Sequence, residues 1–290
     1  MRNFAFTLVL FTFVAFGSWA DAKNLNSVSF SLSKELSETA YKRLAPTQSS
    51  QPSSLVGQHG KSQVGLYTDK GSWETGKEHM KLFMKQFGFN YQSLTAEDIQ
   101  KGALQKSGIQ ILMMPGGESW TYLQTLGDEG ANQIRDFIRN GGSYFGTCAG
   151  AFYAVANRDG GYATGPYGIG LLDGTAYDGT DHKTNPFKEG MLDFDFFISG
   201  FKNVFRIVLL GGPSFRYSDA EAQEKQIQVL AEFQEIHEPA MILYHYGKGK
   251  VFLSGPHLEI EEPLTDWGPE FDDPESDWPI MNWVLERLTQ

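Results

Sequence analysis

Cysteine is almost absent from this sequence: its 290 residues include one, Cys148. An intrachain disulfide is therefore excluded, and the thiol is expected to persist as a free group. A lone cysteine is most often a small buried apolar side chain. A reactive role for Cys148 must therefore be argued from its local sequence.

Positive charge is also scarce. The chain has 24 lysine and arginine residues against 35 aspartate and glutamate residues, a formal net charge of -11. This field repels nucleic acid and anionic membrane surfaces, so we predict no nucleic-acid partner and expect a small-molecule or peptide substrate. A content of 41% hydrophobic residues is enough for a substantial core.

A long apolar run occurs only at the N-terminus. Arg2 precedes an uncharged stretch from Phe4 to Trp19, and small residues follow at Ala20 and Ala22. This pattern predicts that residues 1–22 are a signal peptide of a secreted or periplasmic protein, without stable membrane insertion after cleavage. The alternative is an N-terminal membrane anchor, although the run is shorter than the ~20 residues that span a bilayer.

The rest of the chain divides into two parts by composition. Residues 23–61 form a Ser/Gln-rich spacer, and residues 62–290 are predicted to form one α/β domain, since no repeat or second core begins within them. Whether the Gly-rich segment 160–188 covers the site as a lid is left open.

Hydrophobic periodicity predicts the fold class. A helix over 74–87 precedes a strand at 91–94, a buried strand over 109–114 and a helix over 130–140. Alternating strands and helices predict a doubly wound, mostly parallel sheet flanked by helices. Further elements are predicted at 143–146, 205–209, 227–231, 240–244 and 250–254 (strands) and 280–288 (helix).

The sequence around Cys148 is typical of a nucleophile elbow. Cys148 lies between a strand ending at Thr147 and an alanine-rich helix, with Gly146 and Gly150 on either side. Side chains at the two glycines would collide across the strained turn. The helix start brings backbone N–H groups near the sulfur and favours thiolate, so we predict a catalytic cysteine.

The predicted catalytic partners of the cysteine follow one later strand. His257 stands after the apolar strand 250–254, and Glu259 has the spacing of a carboxylate that orients the imidazole; Glu261 and Glu262 are alternative orienting groups. These residues predict a Cys-His-Glu triad in the chain order of nucleophile, base and orienter.

The Pro-Gly-Gly turn after the strand 109–114 supplies the third part of the candidate site. Its Gly117 N–H, with the Ala149 N–H, is the predicted oxyanion hole. Doubly wound sheets place their sites at the carboxyl ends of strands, where all these residues stand. Possible pocket residues are Gly116, Glu118, Trp120 and Tyr153.

No cofactor and no metal are predicted. The histidines other than His257 lack the paired spacing of metal ligands. The acidic stretch 266–277 lacks the glycine and spacing of a calcium loop, so it is interpreted as a solvated loop.

Five stretches together resemble a known family: Met114–Gly117, Ile138–Tyr144, Gly146–Phe152, Gly170–Ala176 and Gly255–Glu259. They are similar to class I glutamine amidotransferase-like domains, and most similar to the N-terminal domain of biotin-protein ligases and its stand-alone bacterial relatives. The resemblance implies a flavodoxin-like fold, with Cys148 as nucleophile, His257 as base and Glu259 as orienter. One departure is Leu258, where amidotransferases often have proline.

Three functions fit these residues. The first is a cysteine-dependent hydrolase that acts on a small amide, a γ-glutamyl bond or a peptide bond through a thioester. The second is a non-catalytic binding or scaffold protein with the same fold. The third is a thiol redox protein of the DJ-1/PfpI type, in which Glu118 would hydrogen-bond the oxidised form of Cys148.

Overall fold

The computed structural model describes residues 64–178, 189–261, 265, 267–268, 271 and 275–290. The predicted signal peptide, the spacer, Glu262, and parts of segments 160–188 and 266–277 lie outside these residues. In the described part of the chain, no helix is long and apolar enough to cross a membrane.

The first half of the domain alternates strands and helices. Its elements are β1 (Val64–Tyr67), α1 (Glu74–Phe87), β2 (Tyr91–Leu94), α2 (Ala96–Gln100), α3 (Ala103–Lys106), β3 (Ile111–Met114), α4 (Ser119–Arg139), β4 (Ser143–Thr147) and α5 (Ala149–Ala154). Strand β1 pairs in parallel with β2 and β3, and β3 pairs in parallel with β4. Every residue of β1, β3 and β4 is buried, because helices cover both faces of this part of the sheet.

The second half is mostly strands. Its elements are β5 (Val155–Asp159), β6 (Gly165–Pro166), β7 (Leu172–Tyr177), β8 (Gly190–Phe196), β9 (Val204–Leu209), β10 (Ser214–Tyr217), α6 (Asp219–Lys225), β11 (Gln228–Phe233), β12 (Pro239–Tyr246), β13 (Gly249–Ser254) and α7 (Trp278–Leu288). The described strands form a nine-stranded sheet, in the order β2-β1-β3-β4-β13-β12-β11-β8-β9, and a four-stranded sheet, β10-β7-β5-β6.

The predicted α/β fold class is confirmed, and the structure adds that the large sheet is mixed. Pairing is parallel from β2 to β13 and antiparallel from β13 to β9. The change occurs because β11, β12 and β13 follow each other through short turns, and short turns can join only antiparallel strands.

Helix α4 differs most from its prediction. It begins at Ser119, eleven residues before the predicted start at Gly130, and it is kinked at Gly127, whose φ is 57° and ψ is -168°. The predicted helix therefore corresponds to the part after the kink. The part before the kink starts directly behind the Pro-Gly-Gly turn, and its Tyr122 hydroxyl donates to the carbonyls of that turn, at 3.0 Å to Pro115 O and 3.2 Å to Gly116 O.

The small sheet is joined to α4 by a buried arginine. Arg158 of β5 pairs with Asp178, and its Nη1 donates to Ser119 Oγ at 3.3 Å and to the Tyr162 hydroxyl at 2.9 Å. Its guanidinium carbon also lies 3.9 Å from the centre of the Phe152 ring. These contacts satisfy a charge that would be costly to bury alone, and they fix the small sheet beside the N-terminal end of α4.

Strands β3, β4 and β13 position the candidate site. Residue Met114 pairs with Gly146, and Thr147 pairs with Ser254, so the three strands end at the same edge of the sheet. The chain continues from these ends into the Pro-Gly-Gly turn, the elbow and the His257 segment. At the opposite edge, Ser143 Oγ donates to the Leu288 carbonyl at 2.6 Å and holds α7 against β4.

Candidate active site at the carboxyl edge of the sheet

Cys148 occupies a strained turn between β4 and α5. Its φ is 48° and its ψ is -108°, a conformation that non-glycine residues rarely adopt. A β-carbon on Gly146 would lie 2.8 Å from the Gly150 carbonyl oxygen, and one on Gly150 would lie 2.2 Å from the Met114 oxygen. Both glycines are therefore required by close backbone approaches, as the elbow pattern predicts.

The sulfur of Cys148 is nearly enclosed but still reaches the surface. The residue is 7% exposed, and Sγ donates to the Leu210 carbonyl at 3.5 Å. The Cys148 N–H donates to Ser254 O at 2.9 Å, which ties the elbow to β13. Leu210, just after β9, was not predicted as a site residue, because nothing local to it indicates that β9 ends near the elbow.

His257 and Glu259 form a buried pair beside the elbow. His257 Nδ1 lies 2.7 Å from Glu259 Oε1, and the two residues are 1% and 0% exposed. Because a carboxylate accepts, Nδ1 is the protonated nitrogen of the neutral ring. Nε2 is buried and makes no hydrogen bond with any described residue, so it is the nitrogen left for a proton from another group.

The environment of His257 favours its protonated form. Burial by itself lowers the pKa of an imidazole, but the charges of Glu259 and Cys148 and the polar contacts of the ring with both side chains outweigh burial and raise the pKa of His257 to about 10. An imidazolium beside Cys148 is the arrangement that stabilises a thiolate.

Gly116 separates the imidazole from the elbow. A β-carbon at Gly116 would lie 2.6 Å from His257 Cε1 and 3.4 Å from Cys148 Cβ. The two side chains therefore flank the same small space, and only glycine leaves room for both. The structure thus brings Cys148, His257 and Glu259 together with Gly116, as the sequence predicts.

The predicted oxyanion hole consists of the backbone N–H groups of Gly117 and Ala149. Gly117 has a φ of 135° and faces Ser72 in an isolated antiparallel bridge. In that bridge Trp73 N donates to Gly116 O and Glu118 N donates to Gly71 O, at 2.9 and 2.8 Å. Within the described ranges, neither the Gly117 N–H nor the Ala149 N–H has a hydrogen-bond partner.

The other predicted pocket residues lie in different environments. Glu118 is exposed, accepts a hydrogen bond from Thr121 Oγ1 at 3.0 Å and makes none with Cys148. Trp120 is 53% exposed on α4. Tyr153 is fully buried and packs edge to face on Tyr122, with ring centres 6.0 Å apart, so it belongs to the core.

His79, a residue that the sequence does not single out, supports the triad segment from α1. It is fully buried, and its Nδ1 accepts a hydrogen bond from the Glu261 N–H at 3.0 Å. Burial lowers the pKa of His79 to about 4, which keeps the ring neutral and able to accept. Trp278 Nε1 donates to Glu259 O at 3.0 Å, while Glu261 Oε1 accepts from Ser276. Glu261 therefore holds the segment rather than orienting His257.

Substitution of His79 is expected to test this support. His79→Leu leaves the buried Glu261 N–H without its acceptor and should lower the free energy of unfolding by about 1–3 kcal/mol. His79→Asn offers a carbonyl oxygen near the position of Nδ1 and should recover part of the loss. Urea unfolding of the three proteins measures the effect, and a leucine variant as stable as the wild type would contradict it.

The described residues include no group of three or more histidine, cysteine, aspartate or glutamate side chains placed to hold a metal ion. The prediction that the acidic stretch 266–277 is a solvated loop stays a prediction, since half of it lies outside the described residues.

The chain is similar to known proteins in sequence and in fold. Residues 62–163 match the family described as "Biotin-protein ligase, N terminal". The chain is 27% identical over 217 residues to a Chlamydia muridarum protein described as uncharacterized, covering 68% of this chain and 80% of that one. It is also 24% identical over 196 residues to the biotin-protein ligase of Schizosaccharomyces pombe, covering 61% of this chain and 30% of the ligase.

Solved structures show the same fold. A crystal structure of a glutamine amidotransferase aligns over 77% of this chain and 97% of its own, with a TM-score of 0.53 at 22% identity. The match with the S. pombe ligase covers less than a third of that protein. Over residues 62–163 the chain matches the biotin-protein ligase N-terminal family, and its α/β domain has the flavodoxin-like fold of class I glutamine amidotransferase-like proteins.

Proposed function

We propose that this protein is a secreted or periplasmic cysteine hydrolase that cleaves a small amide, γ-glutamyl or peptide bond through a thioester. The observation that carries the proposal is the buried imidazole of His257. Its Nδ1 is held by Glu259 at 2.7 Å, and its Nε2 has no described hydrogen-bond partner beside a cysteine in a nucleophile elbow.

In the first half of the reaction Cys148 is the nucleophile. With its proton already held by His257 Nε2, the thiolate Sγ forms a bond with the substrate carbonyl carbon, and the C=O π electrons move onto oxygen. The N–H groups of Gly117 and Ala149 stabilise that oxyanion. The intermediate collapses when the C–N bond breaks, and the departing amine takes the proton from the imidazolium.

In the second half the thioester is hydrolysed. His257 Nε2 removes a proton from water, the oxygen attacks the thioester carbonyl, and the C–S bond breaks to release the acid and the cysteine sulfur. Glu259 keeps its negative charge throughout and stabilises the imidazolium formed in each half. The amidotransferase fold and the family match support this chemistry without naming the substrate.

The experiment that tests the proposal compares the wild type with Cys148→Ala. Release of ammonia or amine from amide substrates, starting with L-glutamine and γ-glutamyl-p-nitroanilide, should be abolished in the variant, because it has no other cysteine. The free energy of unfolding should change by less than about 1 kcal/mol, since one small side chain is removed at a partly open position.

Two outcomes would contradict the proposed function. Hydrolysis retained by Cys148→Ala would exclude the thioester. A wild-type Cys148 that does not react with iodoacetamide at neutral pH would exclude a catalytic thiol and favour the non-catalytic binding protein. The redox function draws no support from Glu118, which bonds Thr121 and not Cys148.

A further inference from the structure

An apolar wall flanks the candidate active site. It is formed by four partly exposed side chains that pack on the buried Met191, Val208 and Ile260: Trp73, Leu210, Trp267 and Phe271. Two of these residues contact His257 and Cys148 directly. The Trp73 ring lies edge to face on His257 with centres 5.4 Å apart, and the Leu210 carbonyl accepts the Cys148 thiol at 3.5 Å.

The aromatic members form a continuous row that begins at His257. Trp73 and Trp267 are stacked, with ring centres 5.9 Å apart and planes 24° apart. Trp267 and Phe271 meet edge to face at 5.6 Å. Because all three rings are only partly covered, each retains apolar surface, and burying such surface is favourable by about 25 cal/mol per Å².

The groups that surround the His257 imidazolium are acidic. The charged neighbours that act on His257 are Glu259 and Cys148, and in the described ranges no lysine or arginine makes an ion pair or hydrogen bond with Cys148, His257 or Glu259. The imidazolium of His257 is already paired with Glu259, so a substrate carboxylate next to the scissile bond would find no further lysine or arginine among the described residues to bind it, which is unfavourable in a buried site.

From these contacts we infer that the wall formed by Trp73, Leu210, Trp267 and Phe271 is an acyl subsite for an uncharged aromatic or branched aliphatic group. The inference rests on the proposed function, because it assigns the substrate class of the same cysteine. It makes an amide of an apolar acyl group a better substrate than an amide whose acyl group carries charge, such as glutamine.

A pair of reagents with the same reactive group tests the subsite. N-acetyl-phenylalanine chloromethyl ketone and N-acetyl-alanine chloromethyl ketone both alkylate a thiol: the Sγ–C bond forms, the C–Cl bond breaks, chloride leaves, and the thiol proton passes to His257 or to solvent. Mass spectrometry of the Cys148 peptide gives each rate. The rates are divided by those with free N-acetylcysteine, which removes the intrinsic difference between the two reagents.

The phenylalanine reagent should label wild-type Cys148 at least about tenfold faster than the alanine reagent, since apolar groups in a hydrophobic pocket discriminate by factors of this size. Trp267→Ala should reduce the ratio toward one without touching the His257 ring. Trp73→Phe, which keeps an aromatic ring against His257, should retain more of the ratio than Trp73→Ala. Iodoacetamide, which carries no side chain, reports the thiol reactivity of each variant.

Tyr91→Ala is a matched control and should keep the wild-type ratio. Tyr91 is also a partly exposed aromatic residue, but it pairs with Val64 at the amino end of β1, at the opposite edge of the sheet. Equal labelling by the two reagents, with a thiol that reacts with iodoacetamide, would overturn the subsite and leave the proposed function standing. A thiol inert to iodoacetamide would overturn both.

Discussion

His257→Ala is expected to slow alkylation of Cys148 by iodoacetamide roughly 30-fold at pH 7. In the wild type the imidazolium of His257, whose pKa is raised to about 10 by the charges of Glu259 and Cys148, lies beside the sulfur, and a neighbouring cation favours nucleophilic thiolate over thiol. Without that cation the thiol should behave as an ordinary one, which is only a few per cent thiolate at pH 7. The pseudo-first-order alkylation rate, measured from pH 6 to pH 10, gives the size of the effect.

The direction of the pH dependence follows from the raised pKa. Because it exceeds the unfolded value near 6.5, the protonated pair stabilises the fold fully below about pH 6.5, and this contribution is lost as pH rises through about 10. The difference in stability between wild type and His257→Ala should therefore narrow above neutral pH. His245→Ala, at an exposed histidine of β12, is the control and should match the wild type. A His257→Ala variant that reacts as fast as wild type at pH 7 would refute the coupled pair.

Gly117→Ala is expected to disable the site by displacing the Pro-Gly-Gly turn. A β-carbon at this position would lie 2.0 Å from Gly71 O and 2.8 Å from Trp73 N, and both contacts are with backbone atoms that cannot rotate away. The positive φ of 135° adds strain. We expect a loss of roughly 3 kcal/mol or more in unfolding free energy and about 10²-fold or more in hydrolysis, because the oxyanion donor moves.

The matched variant is Gly108→Ala. Gly108 also has a positive φ, 68°, but a β-carbon there meets no atom within 4 Å. It should cost only the backbone strain, about 1–2 kcal/mol, and leave hydrolysis unchanged. Thermal unfolding and steady-state hydrolysis rates of the two variants separate the effect of backbone strain, which both share, from the effect of the steric clash, which only Gly117→Ala has. Equal losses in both variants would mean that the close approach of Gly117 to Gly71 has no special part in the site.

The elbow could be predicted from sequence because its geometry is set within five residues. Gly146 and Gly150 are needed where the chain crosses over itself, and Cys148 must lie between a strand and a helix; periodicity reveals both of these neighbours. The His257 segment could be predicted for a related reason. It follows an apolar strand, and parallel strands end at a common edge.

The residues that sequence analysis missed depend on contacts between distant segments. His79 lies on an ordinary amphipathic helix, and its bond to Glu261 spans 182 positions. Trp73 precedes α1 in a loop, and only the bridge between Ser72 and Gly117 brings it to His257. Sequence analysis missed the small sheet because two of its strands do not show the alternation of apolar and polar residues that indicates a strand. Strand β6 has only two residues, and β5 follows α5 without a turn signal between them.

The position of β13 has a consequence for the order in which the chain can fold. This strand, the last among the described residues, lies in the middle of the large sheet, between β4 and β12. Strand β4 ends at Thr147 and β13 begins at Gly249, so one long edge of the cysteine strand stays unpaired while residues 148–248 are synthesised. During that interval the thiol is present without its histidine, and chaperone protection of this edge would be needed most.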